Sequence, residues 1–175
     1  MPDIRQQLES VLRGRVAIVG VGNIDYGDDG FGVRLAEQLV SNGLPDVIVA
    51  GNTPERFIGR IADEGFDTVL FLDAVEFGAE PGSFVLLDSD EMASKFPQLS
   101  THKISLGLLS KWVESNGTTK ALLLGVQPES LKASADLTKT VQTTLDVLLE
   151  LLCELMSAKQ GIGTTRTRRT EEVHV

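Results

Sequence analysis

Hydrophobic and polar positions along this chain switch between two periods, and each switch marks an element boundary. Ile4, Leu8, Val11 and Leu12 recur at helical spacing, which predicts a short amphipathic helix over the first dozen residues. A continuous apolar run, RVAIVGVG, follows and ends in glycine and asparagine. Short, β-branched and bounded by turn residues, it reads as a strand buried on both faces, as in a parallel sheet. From Phe31 the spacing becomes four, through Leu35 and Leu39, so a helix runs to about Asn42-Gly43. The pattern then repeats. DVIVAG is a second strand, Thr53-Pro54 opens a helix at its cap and first turn, and DTVLFLDA is a third strand.

After Asp73 the alternation loosens. Pro81-Gly82 makes a turn, SFVLLD a strand and SDEMASKF a short helix, and the next helix carries Ile104, Leu108 and Trp112 on one face. TTKALLLGVQP reads as another parallel strand. Leu137, Val141, Leu145, Leu148, Leu149, Leu152 and Met156 then form one wide apolar stripe on a final helix. Strands alternating with helices in this way predict an α/β fold. Its form is a three-layer α/β/α sandwich around a five-stranded, mostly parallel sheet, with the 83–88 strand as an antiparallel edge. From Ser157 large apolar residues become scarce, so residues 1–156 form a single domain and 157–175 a mobile tail.

Charge narrows the partners. The 175 residues hold 25 acids and 16 bases, a net charge of -9. The tail has four of the bases and two of the acids, so 12 bases face 23 acids in the body and the acidity belongs to the folded part. Such a balance excludes a nucleic-acid binder, which needs a basic footprint, and opposes docking on anionic membranes. A single cysteine forms no internal disulfide and points to a reducing compartment. The start, MPDIRQQLES, lacks the apolar core of a secretory signal, and the longest greasy stretch, LDVLLELLCELM, is broken by two glutamates. A cytoplasmic location follows as an expectation.

Ligands of open parallel sheets bind beyond the carboxyl ends of the strands. That rule selects three places: the Gly20–Gly32 loop, the end of the third strand at Asp73, and the segment around His102. The loop fails the dinucleotide fingerprint, since Asp25 stands three residues after Gly22, and it lacks the Gly-Lys-Ser/Thr of a phosphate loop. Two aspartates at the helix start would also repel an anion. Capping needs one carboxylate, a role that falls to Asp28 and leaves Asp29 without a structural task. Asp73 stands where a buried strand leaves the sheet, either as an ordinary turn aspartate or as a partner of Asp29. His102 is one of only two histidines, the other being His174 in the tail; its ordinary reading is a surface residue near a helix cap. Two carboxylates and an imidazole make an O,O,N set suited to divalent transition metals. Carboxylates ~5 Å apart repel by about 3 kcal/mol at an effective dielectric of about 20, and a divalent cation reverses that cost. Cys153 falls within the apolar stripe of the last helix and reads as packing rather than as a nucleophile. Neither Gly-x-Ser-x-Gly nor His-Glu-x-x-His occurs.

Four blocks in order, GVGNIDYGDDGFGVRLAEQL, LFLDAVEFGAEPG, STHKISL and LLLGVQPES, resemble the [NiFe]-hydrogenase maturation endopeptidases over roughly residues 15 to 155. The resemblance implies a cytoplasmic protease, monomeric when free, that trims a C-terminal extension from the hydrogenase large-subunit precursor after nickel insertion. It implies nickel as the recognised ion, carried by the substrate and bridged by the protease. The family's three ligand positions fall on Asp29, Asp73 and His102. Whether Asp29 or Asp73 is also catalytic, by activating water, stays open beside a Lewis-acid role for the ion. Asp25 adds an acid to the loop where relatives often have an apolar residue, and it either joins the site or faces water.

Two other classes fit part of the pattern. A phosphoacceptor signalling domain also pairs acids after a first strand with an aspartate ending a third, but it needs a lysine after its last strand, where GVQPES has none. A non-catalytic ligand-binding module on the same cleft would form a complex with its partner without shortening it.

Overall fold

The computed structural model describes residues 3–95 and 105–168. Five strands, β1 (Val16–Val21), β2 (Val47–Gly51), β3 (Thr68–Ala74), β4 (Phe84–Asp88) and β5 (Lys120–Val126), form one sheet in the order β2-β1-β3-β5-β4. β1 pairs in parallel with β2 and β3, and β3 in parallel with β5. β4 runs antiparallel along β5, from Phe84 opposite Val126 to Asp88 opposite Leu122. The expected five-stranded sheet and its one antiparallel edge are thus both present.

Every residue of β1 and β3 is buried, as the unbroken apolar runs require for strands covered on both faces. Side chains alternate along β3: Leu70, Leu72 and Ala74 enter one core, Val69 and Phe71 the other. The first core is closed by α1 (Ile4–Val11), α2 (Phe31–Ser41) and α6 (Lys139–Arg168). The second is closed by α3 (Ile58–Asp63), α4 (Ser89–Lys95) and α5 (Leu106–Val113). Val141, Leu145, Leu148 and Leu152 of α6 are completely buried, each contributing about 1.5–3 kcal/mol. Packing, not helix propensity, holds that helix.

α2 is pressed onto the sheet at its start. A Cβ on Gly32 would lie 2.0 Å from the Leu72 carbonyl oxygen and 2.4 Å from that of Val21. Only glycine lets the first turn of the helix sit so close to the ends of β1 and β3.

Three sequence expectations shift in detail. Thr53-Pro54 opens a 3-10 turn, Pro54–Arg56, before α3 begins. The face of α5 built on Leu108 and Trp112 is the outer one, with those residues 61% and 59% exposed, while Leu106, Leu109 and Val113 point inward. Ile104, read onto the same face, lies outside the described residues. Finally, α6 continues past Met156 to Arg168, so the segment that composition separates from the body begins as helix.

Candidate functional site

The loops that leave β1, β3 and β5 meet at one edge of the sheet. Between β1 and α2 the chain forms a 3-10 turn, Gly27–Gly30, and Asp28 and Asp29 are both buried in it. At three residues per turn, neighbours on such a turn point about 120° apart, so the doublet sends its carboxylates two ways.

Asp29 turns back over the end of β1, where its Oδ2 accepts a 3.0 Å bond from the Asn23 backbone N–H. Gly22 lies beneath it, with φ at +135°, a conformation that favours glycine. A Cβ there would stand 1.9 Å from the Asp29 carbonyl oxygen and 3.7 Å from Asp73 Oδ1. The structure therefore brings Asp29 and Asp73 together, across the glycine that follows β1.

Asp73 is 2% exposed and extends from the penultimate position of β3. Its Oδ1 accepts the Ala74 N–H at 2.9 Å. Burial holds its pKa well above the ordinary carboxylate value, and the nearby charge of Asp29 raises it further; the backbone bond from Ala74 opposes both. A buried acid beside a second acid is costly in its charged form. A proton relieves that cost, and so does a cation.

Asp28 goes the other way, and here the capping role expected for it is corrected. Neither the 3-10 turn nor α2 has a side-chain N-terminal cap. The Asp28 carboxylate instead gathers the loop between β5 and α6. Its Oδ2 accepts the backbone N–H groups of Glu129 at 2.9 Å and Ser130 at 3.1 Å, and its Oδ1 that of Thr138 at 2.8 Å. The Thr138 hydroxyl lies within hydrogen-bond reach of both oxygens. Backbone bonds parallel the clamp: Asp28 N–H to the Ser130 carbonyl, Gly27 N–H to that of Ser134, and Ser134 N–H to that of Asp25. The guanidinium of Arg34 adds a bond to the Ala135 carbonyl.

Gln127, the residue after β5, performs a similar service for the loop after β3. Its Oε1 accepts the N–H groups of Phe77 at 2.8 Å and Ala79 at 3.3 Å, and its Nε2 donates to Glu76 at 2.8 Å. Sequence reasoning overlooked both Gln127 and Thr138. The available signal was a polar residue directly following a fully buried strand, and an aspartate doublet where one cap suffices.

Asp25 is exposed, its N–H bonded to Asn23 Oδ1, so it faces water. Cys153 packs half-buried against the first core, and burial pushes its thiol up, away from the thiolate a nucleophile needs. His102 lies outside the described residues. Among the described residues no three His, Cys, Asp or Glu side chains are grouped closely enough to hold a metal ion. Asp29 and Asp73 are two carboxylates that could offer oxygen donors to an ion.

Two buried carboxylates, Asp73 in β3 and Asp29 in the turn after β1, at the carboxyl end of a mostly parallel sheet that lacks a phosphate loop and a serine elbow define the class only as an α/β protein with an acidic candidate site. Comparison makes the class specific. The family model HycI, hydrogenase maturation protease, matches residues 33–155. The Hydrogenase 2 maturation protease of Escherichia coli K12 is 31% identical over 168 residues, covering 91% of this chain and 99% of that protein. The crystal structure of a [NiFe] hydrogenase maturation protease HycI from Thermococcus kodakarensis KOD1 superposes with a TM-score of 0.76 at 33% identity, over 86% of this chain and 99% of that one. The hydrogenase maturating endopeptidase HybD from E. coli gives 0.63 at 32% identity, over 79% and 90%. The chain belongs to the hydrogenase maturation protease family, and it is an endopeptidase of hydrogenase maturation.

Proposed function

We propose that this endopeptidase removes the C-terminal extension of a [NiFe]-hydrogenase large-subunit precursor, in the cytoplasm, and does so only after nickel has been inserted. The observation that carries this reading is the pairing of Asp29 and Asp73, two buried carboxylates whose joint ionisation is opposed by burial and by each other's charge. A divalent ion arriving with the substrate removes that opposition. Asp29 and Asp73 supply oxygen ligands, His102 an imidazole nitrogen, and the substrate's thiolates the remaining positions. Hard oxygen and soft sulfur donors then share one ion across the protein–protein contact. Nickel serves as a checkpoint, because a precursor without it lacks the bridging ligand. A cytoplasmic site of action is compatible with the described residues, where no helix is long and apolar enough to cross a membrane.

The test mixes the purified protein with nickel-free and nickel-loaded precursor and follows shortening by mass spectrometry. Only the loaded form is expected to be cut. Equal cleavage of both overturns the checkpoint, and a stable complex without shortening turns the reading toward a binding module. Asp29→Ala, Asp73→Ala and His102→Ala are each expected to abolish processing.

A further inference from the structure

The Asp28 carboxylate is completely buried, makes no cap, and among the described residues accepts its hydrogen bonds from the loop that follows the last strand. Among the described residues its hydrogen-bond donors all lie in residues 129–138, between 101 and 110 positions further along the chain. The residue beside it in the same single turn is Asp29. The turn has little freedom of its own: Asp29 N–H bonds the Tyr26 carbonyl, and Gly27 and Asp28 bond residues of the 129–138 loop through their backbones. Fixing the Asp28 side chain therefore fixes the rotation of the turn, and with it the direction in which the Asp29 carboxylate leaves.

We propose that Asp28 is a positioning residue for the peptidase reaction, acting through Asp29 by locking the Gly27–Gly30 turn to the 129–138 loop. This inference rests on reading Asp29 as a working residue of the site. The chemistry of the contact explains why a carboxylate is required. Both Asp28 oxygens face backbone N–H donors, Oδ2 those of Glu129 and Ser130, Oδ1 that of Thr138. An asparagine of the same shape has one acceptor. Whichever way its amide is turned, an NH₂ group meets a backbone N–H, and a buried donor is left unpaired. Thr138 supplies both a backbone and a hydroxyl donor, so serine there keeps the full set and valine loses only the hydroxyl.

The experiment measures steady-state cleavage of a nickel-loaded large-subunit precursor that the unaltered protein cuts. Temperatures are kept below the unfolding transition of each variant. Asp28→Asn is expected to lower kcat about tenfold to a hundredfold, the range for residues that orient a functional group, with KM changed less than about twofold. Thr138→Ser should match the unaltered protein, and Thr138→Val should fall between. The deciding readout is the double variant, followed with enough enzyme and time to resolve the residual cleavage that Asp29→Asn, which keeps an amide oxygen, retains where Asp29→Ala does not. If Asp28 acts through Asp29, Asp28→Asn adds no further loss once Asp29→Asn is present. Additive losses overturn the proposal. So does a folded Asp28→Asn protein that melts earlier yet cleaves at the normal rate, since its role would then be structural alone. Normal cleavage by Asp29→Asn would sink the reading of the site itself, a result distinct from either.

Discussion

A Cβ on Gly22 would lie 1.9 Å from the carbonyl oxygen of Asp29, so the residue that follows β1 and the acid seven positions later are in direct backbone contact. No flexible side chain can yield there. Gly22→Ala combines this overlap with a φ of +135°, and it should cost on the order of 3 kcal/mol and displace Asp29. Gly51→Ala is the control: its φ is also positive, at +64°, but nothing stands within 4 Å of the new Cβ. Its cost should stay near ~1 kcal/mol, with cleavage retained. Urea denaturation and a cleavage assay on both variants check the pair, and equal losses would refute the tight contact.

Asp73 makes the free protein sensitive to pH. Its folded pKa is raised, so between the unfolded value of 3.8 and the folded one the native state binds more protons than the unfolded chain. Its contribution to stability is therefore greatest at acid pH and falls as pH rises through that window. Asp73→Asn keeps an oxygen for the Ala74 N–H and removes the charge. In metal-free buffer the variant should be more stable than the unaltered protein near pH 8, with the difference shrinking toward pH 4. Urea midpoints at both values read the effect, and a constant difference across pH would contradict it.

On α5, Trp112 and Leu109 should respond in opposite ways. Trp112 is 59% exposed and Leu109 fully buried, so Trp112→Ala should change stability by about 0.5 kcal/mol or less, and Leu109→Ala by about 2–5 kcal/mol. The chain has one tryptophan, so its fluorescence reports this site alone. Emission from the folded protein should already be that of a water-exposed indole and should move little on unfolding.

The contrast within α5 shows where sequence patterning loses its grip. Leu106, Leu108, Leu109, Trp112 and Val113 give two overlapping stripes in eight residues, and periodicity alone does not say which one meets the sheet. The strands posed no such problem, because VAIVGV and TVLFLDA are buried throughout and have no face to choose. The approach of Asp29 to Asp73 was legible for a related reason: a charged residue ending a buried strand, or following one within a glycine loop, has few structural excuses. Asp28 was misread because an acid at a helix start normally serves that helix. Its partners, Glu129, Ser130 and Thr138, are ordinary loop residues whose relevance comes only from tertiary contact. Gln127 escaped notice likewise, since it acts on a loop 48 to 51 positions earlier in the chain.

The 110-residue separation between Asp28 and Thr138 also sets a time order during synthesis. When β3 has left the ribosome, both Asp29 and Asp73 exist, yet β5, the partner on the far side of β3, has not been made. The loop that anchors the Gly27–Gly30 turn comes later still. Closing so long a span must wait for most of the chain, and contacts of that range form late. Asp28 is thus translated early and clamped late, its loop partners becoming available only as the chain nears its final helix.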